Sequence, residues 1–221
     1  DNVLILKKTH NLFTGAADYY ENGNFESAEI ALRKLLEIEP SFAPALGFLG
    51  LVLFEQGKNV EDGLELLRRC VKLAPESSWS WISLGAALLG SSGSVEESVE
   101  CYIRAINLDP TNVHPWKMLG LIHAVFLGQP IQSEYYLRKV VELEPDCAEA
   151  LASLGKVLIQ QHRYEDGEAY LRQALEIKPS SCEILSFLLS VLSWREKHDE
   201  EEVLQRKVIE LGPNNEDFMN S

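Results

Sequence analysis

Six of the nine prolines in this chain recur on one period. They stand at Pro40, Pro75, Pro110, Pro145, Pro179 and Pro213, in steps of 35, 35, 35, 34 and 34 residues. Each closes the same kind of tail, such as Leu36-Glu37-Ile38-Glu39 before Pro40 and Val141-Glu142-Leu143-Glu144 before Pro145. Proline has no N–H and drives the residue before it out of the helical region, so a helix stops there. Six stops at one period predict six copies of one structural unit, stacked because no single copy can bury its own apolar face.

Each unit carries two helical patterns. In the fourth, Trp116, Leu119, Ile122, Val125 and Phe126 recur at helical spacing. After the turn Gly128-Gln129-Pro130, residues Tyr136, Leu137, Val140, Val141 and Leu143 do so again. Gly23-Asn24, Gly57-Lys58-Asn59 and the stretch from Gly90 to Ser94 mark the equivalent turns in the first three units. No run alternates as a strand would, so the spacing predicts an all-α chain. Three units are one residue longer than the others, and the first extra residue is expected in the turn near Asn59, where it leaves the core in place.

Trp81-Ile82-Ser83-Leu84-Gly85 and Trp116-Lys117-Met118-Leu119-Gly120 resemble the W-x-x-L-G opening of the tetratricopeptide repeat. With the proline counted as position 32, position 8 holds Ala16, Gly50, Gly85, Gly120 and Gly155, and position 20 holds Ala28, Gly63, Ser98, Ser133 and Gly167. Leu32, Leu67, Tyr102, Leu137 and Leu171 follow at position 24, similar to the A-x-x-x-F of that family. Paired small residues let two helices touch, and bulky ones fill the space beside them. The resemblance implies a right-handed superhelical solenoid of antiparallel helix hairpins. Six repeats are expected at about 9–42, 43–77, 78–112, 113–147, 148–181 and 182–213, after an extension at 1–8 and before a tail at 214–221. The sixth departs from the pattern, with Leu189 at position 8, Glu201 at position 20 and Gln205 at position 24, as a polar terminal cap would. The apolar run Val3-Leu4-Ile5-Leu6 either extends the first helix, packs back on it, or meets another surface.

The family binds partner proteins in the concave groove lined by the first helix of each hairpin. Here the groove positions are expected to carry Phe13, Tyr20, Leu51, Phe54, Trp79, Ile82 and Leu121, an apolar and aromatic stripe, together with the lysines Lys117 and Lys156. Such a stripe suits an apolar or amphipathic segment of a partner. Leu51, Ile82 and Leu121 equally fit packing between neighbouring hairpins, and the two lysines fit pairing with Glu149 or solvent better than pairing with a ligand. The carboxylate clamp that holds chaperone tails is not expected, because Lys117 is the single basic residue at position 5 and Leu121 stands where its asparagine would be.

Acidic side chains outnumber basic ones 34 to 20, a net charge of −14. That excess argues against nucleic acid or an anionic membrane as partner, since both reward clustered Lys and Arg. No apolar run approaches the roughly 20 residues that span a bilayer. Cys70, Cys101, Cys147 and Cys182 form no C-x-x-C pair and lie at no ligand spacing from histidine, so a reducing, cytoplasmic setting without metal or other cofactor is expected. No phosphate-binding loop, nucleophile elbow or H-E-x-x-H occurs, and His123 reads as a hydrogen-bonded core residue. The chain is therefore expected to be no enzyme but a protein-binding scaffold or adaptor. The alternative is the repeat domain of a larger enzyme or assembly that recruits substrate or self-associates; the missing initial methionine favours a piece of a longer chain.

Overall fold

The computed structural model describes residues 2–57, 59–91 and 94–194, with side chains from residue 7 to residue 193 of those stretches. The chain folds as antiparallel helix pairs. The first is α1 (Asn2–Glu21) with α2 (Phe25–Ile38), followed by α3 (Ala43–Glu55) with α4 (Val60–Leu73) and α5 (Ser78–Gly90) with α6 (Val95–Leu108). Next come α7 (Val113–Leu121), continued by a π turn at Ile122–Phe126, with α8 (Pro130–Leu143), and then α9 (Ala148–Gln160) with α10 (Tyr164–Ile177). Among the described residues the last element is α11 (Cys182–Trp194), and no strand occurs. The helices gather into two compact units, Asp1–Pro115 and Trp116–Ser221. The run Val3–Leu6 belongs to the backbone of α1, while its side chains, like Glu201, Gln205 and the C-terminal tail, lie outside the described residues.

The periodic prolines do what their chemistry requires. The residue before each of the first five is the C-cap of a second helix, with ψ between 63° and 88°, outside the helical region. Its N–H still donates back to the helix, as Glu39 does to the Leu35 carbonyl at 2.9 Å. Its carbonyl then accepts from the residue three further on: Phe42 to Glu39, Ser77 to Ala74, Asn112 to Asp109, Cys147 to Glu144 and Ser181 to Lys178. That is a β-turn with proline at its second position, where a φ near −65° is wanted. One residue type thus ends a helix and starts the link to the next hairpin.

Within a hairpin, positions 8 and 20 bring the helix backbones together. A Cβ on Gly50 would fall 2.8 Å from the Gly63 carbonyl oxygen, and one on Gly167 would fall 2.8 Å from that of Gly155. Where position 20 is serine, its hydroxyl uses the same closeness: Ser98 donates to the Gly85 carbonyl at 2.8 Å and Ser133 to that of Gly120 at 2.7 Å. Both serines are fully buried, so the bond satisfies a hydroxyl that would otherwise be stranded. Position 24 covers the contact; Leu32, Leu67, Tyr102, Leu137 and Leu171 are all buried, each leucine contributing about 1.5–3 kcal/mol.

The three extra residues go to two different places. Four residues separate the helices of the second and third hairpins, 56–59 and 91–94, where three separate those of the first and fifth, 22–24 and 161–163. The fourth keeps a three-residue turn, 127–129, and takes its extra residue inside the helix as the π turn. There the Leu127 N–H donates to the Ile122 carbonyl, five residues back, at 3.1 Å.

Candidate functional site

In the unit Asp1–Pro115, aromatic side chains connect the first helices. Phe13 and Tyr20 lie seven residues apart on one face of α1, and Phe48 and Glu55 do so on α3. Phe48 is the centre of the group. It stacks on Trp79 of α5 with ring centroids 5.2 Å apart, and meets Phe13 edge-on at 5.3 Å and Tyr20 at 5.9 Å. Phe13 also stands edge-on to Phe42, and Tyr20 to Phe25. Trp79 remains 37% exposed, while Phe13, Tyr20 and Phe48 are half-buried.

Glycines make two of these seats. Trp79 lays its six-membered ring over Gly47, where a Cβ would come within 2.7 Å of it. Phe54 lies on Gly90 in the same way, again at 2.7 Å. Leu51 and Phe54 pack against the core of Leu67, Val71, Leu84, Ala87, Leu88 and Cys101 and keep part of their surface exposed, and Ile82 is also half-buried. Phe13 and Tyr20 likewise lean on the core beneath them. The structure therefore brings together Phe13, Tyr20 and Trp79 through Phe48, a residue at position 6 that the groove positions leave out. Its signal in the sequence is the spacing to Glu55 and its place beside Gly47.

Charge collects at one end of this face. Burial, and then the nearby Glu55 carboxylate, raise the Tyr20 hydroxyl above its ordinary pKa. Glu21 and Glu55 end α1 and α3 and are exposed.

In the unit Trp116–Ser221 the corresponding side chains are paired. Lys117 lies 4.0 Å from Glu149, which also bonds Lys178. Hydrogen bonding from Lys178, outweighing the cost of burial and helped by Lys117, holds the Glu149 carboxyl below its ordinary pKa. Lys156 bonds Glu183 at 2.5 Å and sits 3.9 Å above the Phe187 ring. Both lysines thus meet a glutamate at position 2 of the following repeat. Leu121 is 47% exposed, and beyond it the π turn presents Val125 and Phe126, with Ile131 following in α8, all exposed.

His123 is buried against Tyr136, ring centroids 5.1 Å apart, and its Nδ1 lies 2.8 Å from the Gln129 carboxamide oxygen. The four cysteines form no disulfide. Burial, with Glu97 and Glu100 nearby, pushes the Cys101 thiol up to about 12, and burial also raises Cys70. Neither offers a thiolate at neutral pH. Among the described residues no three His, Cys, Asp or Glu side chains group to hold a metal, and no helix is long and apolar enough to cross a membrane.

Three models of the tetratricopeptide repeat match this chain, over residues 13–78, 80–112 and 127–187. No curated protein gives a significant match. Among solved structures, the PilF protein of Pseudomonas aeruginosa is similar over 97% of this chain and 96% of its own, with a TM-score of 0.81 at 19% identity. YrrB, a repeat protein with an unusual peptide-binding site, matches 86% of this chain and 96% of its own at a TM-score of 0.69 and 18% identity. A thermophilic repeat protein of Thermus thermophilus matches 83% of this chain and 98% of its own, at a TM-score of 0.61 and 21% identity. At these identities the likeness is one of fold.

Proposed function

The chain belongs to the tetratricopeptide repeat family, and from that premise we propose that it is a non-enzymatic protein-interaction scaffold that holds an apolar or amphipathic segment of a partner on the first-helix face of the unit Asp1–Pro115. The observation that carries this reading is the Phe48–Trp79 stack, with Phe13 and Tyr20 beside it. Those rings are rigid and preassembled, and they keep part of their surface open, which is what an interface anchor needs. A segment landing there would touch Trp79, Phe54, Leu51 and Ile82 as well. On the lysine-bearing helices, Lys117 and Lys156 are already satisfied by Glu149 and Glu183. A ligand carboxylate would have to displace those partners, so we assign the two lysines a minor part in binding, with Leu121 as the apolar contact of that unit.

The test is capture of partners from native lysate by the intact chain, with Phe54→Ala and Trp79→Ala beside it. The proteins retained by the wild type are expected to be depleted with both variants, at unchanged helical content. Retention of the same proteins by both variants would overturn the assignment of the face.

A second reading, self-association, draws on the apolar side chains exposed around the π turn, Val125 at 65% and Ile131 at 71%. Light scattering across a concentration series tests it: a mass that stays at one chain throughout rules it out.

A further inference from the structure

Glu21 and Glu55 stand where a helix least wants them. The C-terminal end of a helix carries partial negative charge, so a carboxylate in the last turn is unfavourable and a lysine favourable. Neither α1 nor α3 has a basic residue in its last turn. Among the described residues neither carboxylate has an ion-pair partner, and the same holds for Asp18 on α1, whereas Glu149 and Glu183, in the first turns of α9 and α11, are both paired. The closeness of Glu55 to Tyr20, felt in the raised ionisation of the phenol, puts its charge beside the aromatic group rather than on a remote surface. Phe48 and Glu55 share a face of α3 two turns apart, a separation of about 10 Å at 1.5 Å per residue.

We propose that this face selects a partner segment with an apolar or aromatic anchor for the Phe48–Trp79 stack and a lysine or arginine about three residues away for Glu55 and Glu21. Three residues of extended chain span about 10 Å, which matches the separation of the two features on α3. The rings bind the anchor without regard to direction. The carboxylates give the segment its polarity, and they also attract a basic partner at long range. This rests on the reading of the face as a docking surface and adds the chemistry of what docks.

The probe is a displayed library of random dodecapeptides, selected on the immobilised intact chain. Sequences retained by the wild type are expected to pair an aromatic or aliphatic residue with Lys or Arg at a spacing near three. Selection on the Glu21→Gln/Glu55→Gln double variant should keep the apolar residue and lose the cation. A single retained peptide should bind that variant about five-fold more weakly, the upper range for an exposed ion pair. The variant's melting temperature should be equal or higher, since unfavourable charge has been removed. Glu55→Lys should select Asp or Glu at the same spacing, which a merely structural role would not produce. Retained peptides with neutral or acidic residues at that spacing overturn the proposal and leave the docking face standing. A pool unaffected by Trp79→Ala overturns the docking face, and no enrichment at all overturns both.

Discussion

Gly47 and Gly15 are both helical glycines, and opposite outcomes are expected from the same substitution. At Gly47 a methyl group would meet the Trp79 ring at 2.7 Å and the Cys70 sulfur at 3.0 Å. Gly47→Ala should lower stability by about 1–3 kcal/mol, the usual cost of overpacking, and push Trp79 off the face that is proposed to bind. Nothing lies within 4 Å of a Cβ at Gly15. Gly15→Ala should therefore raise stability by about 0.5–1 kcal/mol through helix propensity alone. Urea midpoints of the two variants decide both signs. Ser98 tests a third kind of close contact. Its hydroxyl donates to a carbonyl in a neighbouring helix, so Ser98→Ala should cost only about 0.5–1.5 kcal/mol. Ser98→Val, which forces a second methyl towards the Gly85 carbonyl, should cost more.

At the scale of elements, the π turn is a register device. The first helices of the second, third and fifth hairpins have 13 residues, whereas Val113–Phe126 has one more in the same place. Val125 is more exposed than Phe126 in that turn, at 65% against 52%, and the core contacts Ile122 and Leu137 are buried. Deleting Val125 should convert the segment to a plain α-helix with the same three-residue turn and a melting temperature close to that of the parent. Deleting the buried Leu119 instead should unfold the hairpin, which loss of helical circular dichroism would show. The prolines and the small residues at positions 8 and 20 were legible in the sequence because they act through backbone geometry within one hairpin. The first extra residue is legible too, since it falls between α3 and α4 near Asn59 as expected, but that the fourth hairpin takes its extra residue inside a helix was not, because both placements keep the same core. The candidate face was half legible for a similar reason. Trp79, Phe13 and Tyr20 follow from their positions in the repeat, but Phe48 joins them only because Gly47 lets the indole lie flat across α3. The alternative reading of Lys117, pairing with Glu149, is the one the structure shows. Lys156 pairs by the same rule with Glu183, one repeat further on, which no reading of a single repeat reveals.

Over the whole molecule, acid and base are far from balanced, and the net charge of −14 repels itself. Added salt should therefore raise the melting temperature at pH 7, because the bridges it also screens are mostly exposed and weak. The acid limb is set by carboxylates held in their charged form. Glu134 is the better placed: burial raises its pKa, but hydrogen bonds from Arg138, Gln161 and Arg163 together outweigh that and bring it below 4.5. Those bonds tie α8 to the turn before α10, with Arg163 Nη1 at 2.8 Å and Gln161 Nε2 at 2.9 Å. A carboxyl whose folded pKa is depressed binds fewer protons folded than unfolded. Its contribution is complete above the unfolded value and is lost as pH falls through the folded one. Glu134→Gln should thus be less stable than the parent by about 1 kcal/mol at pH 7, the order expected of a charged hydrogen-bond cluster at a partly exposed site. Below pH 4.5 the two urea midpoints should converge, since the parent's carboxyl is then being neutralised too. A gap that stays constant from about pH 7 down to about pH 3 would mean that Glu134 acts by shape and not by charge.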